Sequence, residues 1–463
     1  MPDPRYSFSP LERRGILLGL QPGQLVTIGG AALAALVLHS MVGGVSGLTL
    51  SMAFLFVGAA GGLWSRGGQP LSSWGIVAIS WLSRRGSKVR LSEGPTLGHG
   101  PMTIDGCEDR LERCARAAAG DLPRGIAVLR RDAAMLCDGY GVIRDRGAGS
   151  VAAVVPVRGR SLSLLDTDEQ AQCLDAWRTV LAALARPGSP VTRLQWVQRN
   201  DTNDLDDDSL LPPLPVSAHP AAADSYRQLA ESVGRQVRRH ETWLLLAVGG
   251  ERSPRAATRM EALDRELRFL EGQLRQAGLE PGSPLASGEV ERLGASGGLA
   301  VREHWSALRV DGDWHATYWV AEWPRTEVGP DFLQPLLVAG TRTTVSVLMA
   351  PVPSDRALRE VRSARTADLA DAALRSRAGF LTSARREREA EGVNRRENEL
   401  AEGHVEYRFS GYVTVSAGCE EELAVACATV EQAGHAAHLE LRRLYGRQRE
   451  SFTWTRLVGR GLR

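Results

Sequence analysis

A stretch of 40 residues without a formal charge constrains this chain more than any other feature of its sequence. Residues 25–64 contain no Asp, Glu, Lys or Arg, and His39 is their only ionisable side chain. About 20 apolar residues cross the hydrocarbon core of a bilayer, so the stretch is long enough for two helices. The glycines within Met41–Gly47 favour a tight turn between them. The sequence therefore predicts a transmembrane helical hairpin at 25–64, with a buried helical pair in a large soluble core as the alternative.

Basic residues flank this stretch on both sides, and the turn carries none. Cytoplasmic flanks of membrane helices are enriched in Lys and Arg, so the distribution places both ends of the hairpin in the cytoplasm. We therefore expect a multi-pass protein of the cell membrane, with residues 1–24 as a short cytoplasmic lead and both termini cytoplasmic. The flanking residues are Arg13, Arg14, Arg66, Arg84, Arg85, Lys88 and Arg90.

The segment 65–106 is predicted to hold an interfacial helix followed by a linker that contains Gly and Pro. Trp74 and Trp81 are seven residues apart, so they share one face of a helix. Tryptophan at the depth of the lipid headgroups, with arginine just beyond, is typical of such a helix. A third, short span is the alternative. The predicted membrane-interface residues are Trp64, Trp74, Trp81, Arg84 and Arg85.

The rest of the chain has an α+β pattern. It is predicted to form two α/β-sandwich-like cytoplasmic domains, at 107–278 and 299–463, on either side of a segment rich in Gly, Pro and Ser. Short apolar runs predict strands, and apolar residues three and four apart predict helices. Predicted strands include Thr242–Val248, Trp314–Trp323, Thr343–Met349, Tyr407–Val415 and a last one near Ser451–Thr455. The order of elements is similar in the two domains, which makes a diverged duplication a hypothesis that sequence similarity alone does not establish.

A long charged segment at 355–402 interrupts the second domain. Its first half carries an apolar stripe at Leu358, Val361, Leu369 and Leu374, whereas Arg and Glu dominate its second half. A helix that is polar all round projects into solvent, is held by pairs of charges four residues apart, or docks a partner. The candidate partner-docking residues are Arg385, Arg386 and Arg388, and a solvated connector is the alternative.

The charge balance and the lysine usage argue against two classes of function. The chain has 56 basic and 54 acidic residues, and this near balance does not indicate a nucleic-acid binder. Lys88 is the only lysine and lies close to the predicted hairpin. A phosphate-binding loop needs a lysine that reaches the nucleotide phosphates, so the chain is not a Walker-type ATPase. No catalytic residue and no cofactor are predicted, and we expect a non-enzymatic protein.

Metal binding is not predicted either. The six cysteines are Cys107, Cys114, Cys137, Cys173, Cys419 and Cys427, and none belongs to a CxxC pair. Structural zinc sites are built from closely spaced pairs or from Cys and His sets, so these cysteines are expected to be small buried or half-buried residues.

Several segments resemble, in order, proteins of type IV secretion. Those in the second domain are similar to the amino-terminal domain of the assembly ATPases, and the lead before the hairpin is similar to the small two-span proteins that accompany those ATPases in conjugation. Together they resemble an actinobacterial family of two-span membrane proteins found beside such ATPases. The resemblance covers nearly the whole chain, but the tail departs from the family pattern at Arg456–Gly459. The segments are Leu18–Leu25, Trp314–Pro324, Phe332–Leu337, Thr343–Pro351, Phe409–Ser416, Glu420–Leu423, Leu439–Gln448, Phe452 and Gly459–Leu462.

This resemblance implies the docking domain of a secretion ATPase without its motor. We therefore expect a membrane-anchored structural subunit of a conjugation-like apparatus that docks a partner ATPase at the inner face of the membrane. The membrane, the ATPase and other membrane subunits are the expected partners in a hetero-oligomeric complex, and no direct contact with nucleic acid is expected. The layout is also similar to EccE, the two-span membrane component of type VII secretion. A membrane-bound enzyme with no recognised motif is the remaining alternative.

Overall fold

The computed structural model describes residues 22–63, 65–66, 69–70, 77–78, 81–82, 126–131, 139–160, 162–202, 221–222, 224–225, 238–249, 256–294, 301–377 and 384–462. The strands are β1 (Ser65–Arg66), β2 (Gln69–Pro70), β3 (Ile126–Arg131), β4 (Tyr140–Asp145), β5 (Ser150–Arg158), β6 (Val191–Thr202), β7 (Arg238–Gly249), β8 (Glu280–Pro281), β9 (Val301–Glu303), β10 (Leu308–Val310), β11 (Asp313–Glu322), β12 (Arg342–Val352), β13 (Glu406–Ala417) and β14 (Glu440–Arg443). The helices are α1 (Pro22–Val42), α2 (Gly44–Leu63), α3 (Thr167–Leu184), α4 (Ala256–Gln276), α5 (Ser287–Gly294), α6 (Gln334–Leu337), α7 (Ser354–Arg377), α8 (Ala384–Ala401), α9 (Glu420–Ala436) and α10 (Gln448–Trp454).

One antiparallel sheet of twelve strands organises the described part of the chain. Ten of the strands follow the order β3-β4-β5-β7-β6-β12-β13-β11-β10-β9, while β8 pairs with β5 and β14 pairs with β11. Strand β7 is apolar on both faces, as expected for a strand that is covered on both sides. Every residue of this strand from Trp243 to Val248 is buried.

The sheet consists of two topological repeats. The first runs β3-β4-β5-α3-β6-β7-α4-β8-α5, and the second runs β9-β10-β11-α6-β12-β13-α9-β14-α10. Pairing agrees with this correspondence, because the strand order within one repeat mirrors that within the other. The helical hairpin α7–α8 is an insertion between β12 and β13 of the second repeat. The duplication that the order of elements suggested is therefore present in the topology.

The two repeats join through their edge strands. β6 pairs with β12 antiparallel over a register that runs from Thr343 opposite Asn200 to Met349 opposite Leu194. The prediction of two separate sandwiches is therefore corrected to one continuous sheet. This pairing connects residues about 150 positions apart in sequence. The local hydrophobic pattern predicts that each strand exists but not which strand it pairs with.

Four helices cover one face of the sheet. Helices α3 and α4 pack on the first repeat, where their apolar stripes meet the buried side chains of β5, β6 and β7. Helices α6 and α9 pack at the equivalent place on the second repeat. Trp196 of β6 lies against both apolar clusters, so the core is continuous across the junction.

Helices α5 and α10, together with the C-terminal segment 455–461, cover the opposite face. Val290 of α5 packs on the first repeat, and Phe452 and Trp454 of α10 pack on the second. The C-terminal segment then crosses the junction, so that Leu457 and Val458 belong to the core of the first repeat. The strand predicted near 451–455 is wrong, because these residues lie in and just after α10.

The uncharged stretch forms helices α1 and α2, which turn at Gly43 and Gly44, both with positive φ. The turn is where the glycines predicted it. The helices pack through small residues, with Ala31 and Ala35 buried, while larger apolar side chains such as Leu36 are exposed.

Within the residues that the structure describes, no helix is long and apolar enough to cross a membrane. This finding contradicts the prediction of a transmembrane hairpin at 25–64. It also contradicts the predicted multi-pass location in the cell membrane.

Candidate functional site

The helical hairpin α7–α8, called the charged arm from here on, is one of two candidate sites. Its helices meet through a small apolar cluster of Val361, Ala364 and Val393, against which Leu400 is half-buried. An ion pair between Arg365 and Glu397 joins the helices at 2.8 Å. Leu369, which the sequence placed on the apolar stripe, is 65% exposed. The charged arm is thus ordered mainly by contacts within itself.

A network of charges holds the base of the charged arm on the sheet. Glu360 accepts hydrogen bonds from Arg356 at 2.9 Å and from Arg408 of β13 at 2.6 Å. Arg396 of α8 pairs with Glu406, also of β13. Partial burial opposes ionisation of Glu360, but the hydrogen bonds from Arg356 and Arg408 outweigh it and hold the pKa of Glu360 below its usual value. Both helices are therefore fixed at the point where they leave the sheet.

The structure places the predicted site residues in different parts of the chain. Arg385, Arg386 and Arg388 lie in helix α8, but their side chains are outside the described residues. Trp81 lies against Trp305 near the second repeat, with ring centroids 5.3 Å apart and the rings nearly perpendicular. The other predicted interface residues, Trp64, Trp74, Arg84 and Arg85, lie outside the described residues.

The second candidate site is a pocket of about 170 Å³ beside the seam between the repeats, called the junction pocket from here on. Its floor is the face of the sheet that carries α10. Its lining combines residues from β6, β11, β12, β13, α10 and the C-terminal segment. These residues are Arg199, Asn200, Asp201, Asp313, His315, Arg342, Thr343, Thr344, Thr414, Ser416, Phe452, Thr455 and Arg456.

Pairing across the strands arranges the polar side chains of the floor in rows. Arg199, Thr344 and Thr414 are consecutive partners across β6, β12 and β13. The next row contains Arg342, Ser416 and His315 across β12, β13 and β11. Hydrogen bonds support both rows: Thr414 Oγ1 lies 2.8 Å from Thr455 Oγ1, and His315 Nδ1 lies 2.8 Å from Ser416 Oγ.

The three arginines of the junction pocket have different partners. Arg342 donates to Asp313 at 2.9 Å. The guanidinium of Arg456 lies 4.4 Å from the centroid of the Phe452 ring, and that of Arg199 lies 5.5 Å from the Trp243 ring. Neither Arg199 nor Arg456 forms an ion pair within the described part of the chain. Aromatic rings, rather than carboxylates, therefore position these two cations.

His315 is neutral in this pocket at pH 7. Burial lowers its pKa to about 4, and the charges of Arg456 and Arg342 act in the same direction while Asp313 opposes them. An unfolded histidine titrates near 6.5, so between these values the unfolded state binds the proton and the folded state does not. Stability therefore falls as the pH falls through this window.

We expect the free energy of unfolding to drop by about 2 kcal/mol between pH 7 and pH 5 through His315 alone. The His315→Asn variant should lose this part of the pH dependence, whereas His404→Asn, at an exposed position, should retain it. Urea unfolding in buffers without phosphate measures the difference. Equal pH dependence in the His315→Asn variant and the unsubstituted chain would contradict the assignment.

Sequence reasoning found the charged arm but missed the junction pocket. The arm is one continuous segment with an unusual density of charge, so composition alone reveals it. The residues of the pocket come from five separate segments whose only link is the pairing of the strands. The buried polar residues Thr317, Thr414 and Ser346 in otherwise apolar strands are the one signal that pointed to this face.

In the described part of the chain, no group of three or more His, Cys, Asp or Glu side chains is placed to hold a metal ion. Comparison with known proteins gives no family assignment: no protein-family model and no curated protein matches this chain.

Proposed function

We propose that this chain is a non-enzymatic, protein-binding subunit and that its charged arm docks a partner protein. The observation that carries the proposal is an ordered helical hairpin that is fixed at its base and leaves the sheet. Exposed ion pairs contribute little to stability, so pairs such as Arg359–Asp355 add little to the stability of the fold. A charged projection of this kind presents both signs of charge to a complementary surface.

The resemblance to proteins of conjugation-like type IV secretion supports an ATPase, supplied by a separate chain, as the partner. On this proposal the chain contributes a docking surface within a hetero-oligomeric complex and the ATPase contributes the motor. The likeness to EccE depended on the transmembrane layout, so it is not carried into the proposal. Direct contact with nucleic acid is not part of it either.

Reversing the charge of Arg385, Arg386 and Arg388 to Glu tests the docking role. We expect the melting temperature of the chain to stay nearly unchanged, because residues 385–399 contain almost no apolar side chain that could pack in a core. Binding to the ATPase should weaken, and most strongly at low ionic strength, where surface charges interact over the longest distance. Differential scanning fluorimetry measures the melting temperature, and biolayer interferometry at two ionic strengths measures the binding.

The matched control replaces the same three arginines by Lys, which keeps the charge and should keep most of the binding. A large drop in melting temperature would show that the three side chains are packed in the fold. If the chain binds the ATPase and the Glu variant binds equally well, the arm is a connector. If the unsubstituted chain does not bind the ATPase at all, the choice of partner is wrong.

A further inference from the structure

We infer that the junction pocket binds a phosphate group, either as the free ion or as the phosphate of an ester whose remainder stays outside. Nothing in the proposed docking function uses this pocket. It lies on the face of the sheet covered by α10, and its lining includes three arginines, three threonines besides Thr343, one serine and one histidine.

The strongest argument is the pair of guanidinium groups at Arg199 and Arg456. Each is held by an aromatic ring, and neither has a carboxylate partner within the described residues. Burial lowers the pKa of Arg456 to about 10, and the nearby charge of Arg199 acts in the same direction. Two cations kept close together in a partly buried site repel each other, and a shared anion removes that cost.

The geometry of the donors favours a phosphate over a planar carboxylate. Guanidinium groups form paired hydrogen bonds with phosphate oxygens. The two guanidiniums come from β6 and from the C-terminal segment, and the hydroxyl of Thr344 lies on the floor beside Arg199. Donors that come from separate elements of the fold can each reach a different oxygen of a tetrahedral anion.

Size and charge limit the ligand further. A volume of about 170 Å³ open to the centres of water-sized spheres holds several water molecules, which leaves room for a phosphate group. Asp313 is paired with Arg342, so it does not cancel the charge of the other two arginines. Asp201 also lines the pocket and opposes an anion. Removing its charge should therefore strengthen binding, which gives the site a second and opposite test.

The test is isothermal titration calorimetry of the full chain with inorganic phosphate at pH 7. Arg199→Gln should weaken binding by at least about tenfold, because a hydrogen-bonded charge is lost. Asp201→Asn should strengthen it several-fold. Arg325→Gln removes the same charge from an exposed ion pair with Glu322, at the other end of β11 from His315, and should change nothing.

Phosphate should also raise the melting temperature of the unsubstituted chain, and Arg199→Gln should lose this increase. Glycerol phosphate distinguishes a phosphate ester from the free phosphate ion as the ligand. If it binds at least as tightly as inorganic phosphate, the ligand is an ester. If it binds more weakly, the ligand is the free ion. The inference is overturned if neither probe gives saturable binding. It is also overturned if the folded Arg199→Gln variant, verified by circular dichroism, binds as well as Arg325→Gln.

Discussion

Replacing Arg186 by Ala is expected to lower the free energy of unfolding by about 3 kcal/mol, because it leaves a buried carboxylate without its main partner. The side chain of Glu266 in α4 is 1% exposed, and its Oε1 accepts a hydrogen bond from Arg186 at 2.6 Å. Arg265 lies 4.0 Å from the same oxygen and is a weaker partner. Arg186 also covers the ring of Phe269 at 4.4 Å, so its removal costs packing as well as charge.

The double variant Arg186→Met/Glu266→Leu separates the charge from the packing. Replacing a buried ion pair by apolar residues of similar size is often neutral or stabilising, so this variant should be close to the unsubstituted chain in urea unfolding. Arg268→Ala, which removes an exposed arginine from the same helix, is the control and should have little effect. A loss under 1 kcal/mol for Arg186→Ala would show that Glu266 does not depend on Arg186.

Replacing Gln195 by Leu is expected to cost at least about 3 kcal/mol and to release the C-terminal segment. Gln195 is fully buried in β6. Its Nε2 donates to the carbonyl oxygens of Trp454 at 3.1 Å and Arg456 at 2.9 Å, and its Oε1 accepts from the backbone N–H of Gly459 at 2.8 Å. Each buried backbone group left unpaired costs about 1–3 kcal/mol.

Hydrogen exchange provides a second measurement of the Gln195→Leu variant. The amide of Gly459 should lose protection, whereas amides in the centre of β7 should follow only the change in global stability. Gln198→Leu is the matched control, because Gln198 lies on the same strand but on the opposite face and is only half-buried. Unchanged exchange at Gly459 would mean that apolar packing of Leu457 and Val458 holds the segment without Gln195.

The sequence predicted individual elements far better than their assembly. The strands expected at Thr242–Val248, Thr343–Met349 and Tyr407–Val415 all exist, each a few residues longer than its apolar run. Helix α10 was mistaken for a strand because it is short and buried on several sides, with Ser451, Phe452 and Trp454 all inaccessible. Burial of this kind hides the helical period.

Long-range pairing explains the rest of the difference. No local pattern in β6 or β12 distinguishes an edge that faces solvent from one that faces a second repeat, so the sequence predicted two sheets where one exists. The junction pocket depends on that pairing and could not be predicted without it. The prediction of a transmembrane hairpin rested on the absence of charge in 25–64, which established two helices and the turn between them but not their surroundings.

The antiparallel pairing of β6 with β12 also predicts how a single repeat would associate if it were expressed alone. If the chain were divided between β6 and β12, each half would have an unpaired edge strand of 11 or 12 residues. Open edge strands of that length pair with strands of other chains. Because the two strands occupy the same position in their repeats and run antiparallel, the natural recruit is a second copy of the same half. A gene encoding one repeat would thus produce a symmetric homodimer with the full sheet. In a fusion of two such genes, the two repeats no longer share one sequence. One repeat can then carry an insertion such as α7–α8 while the other has a short loop at the same place.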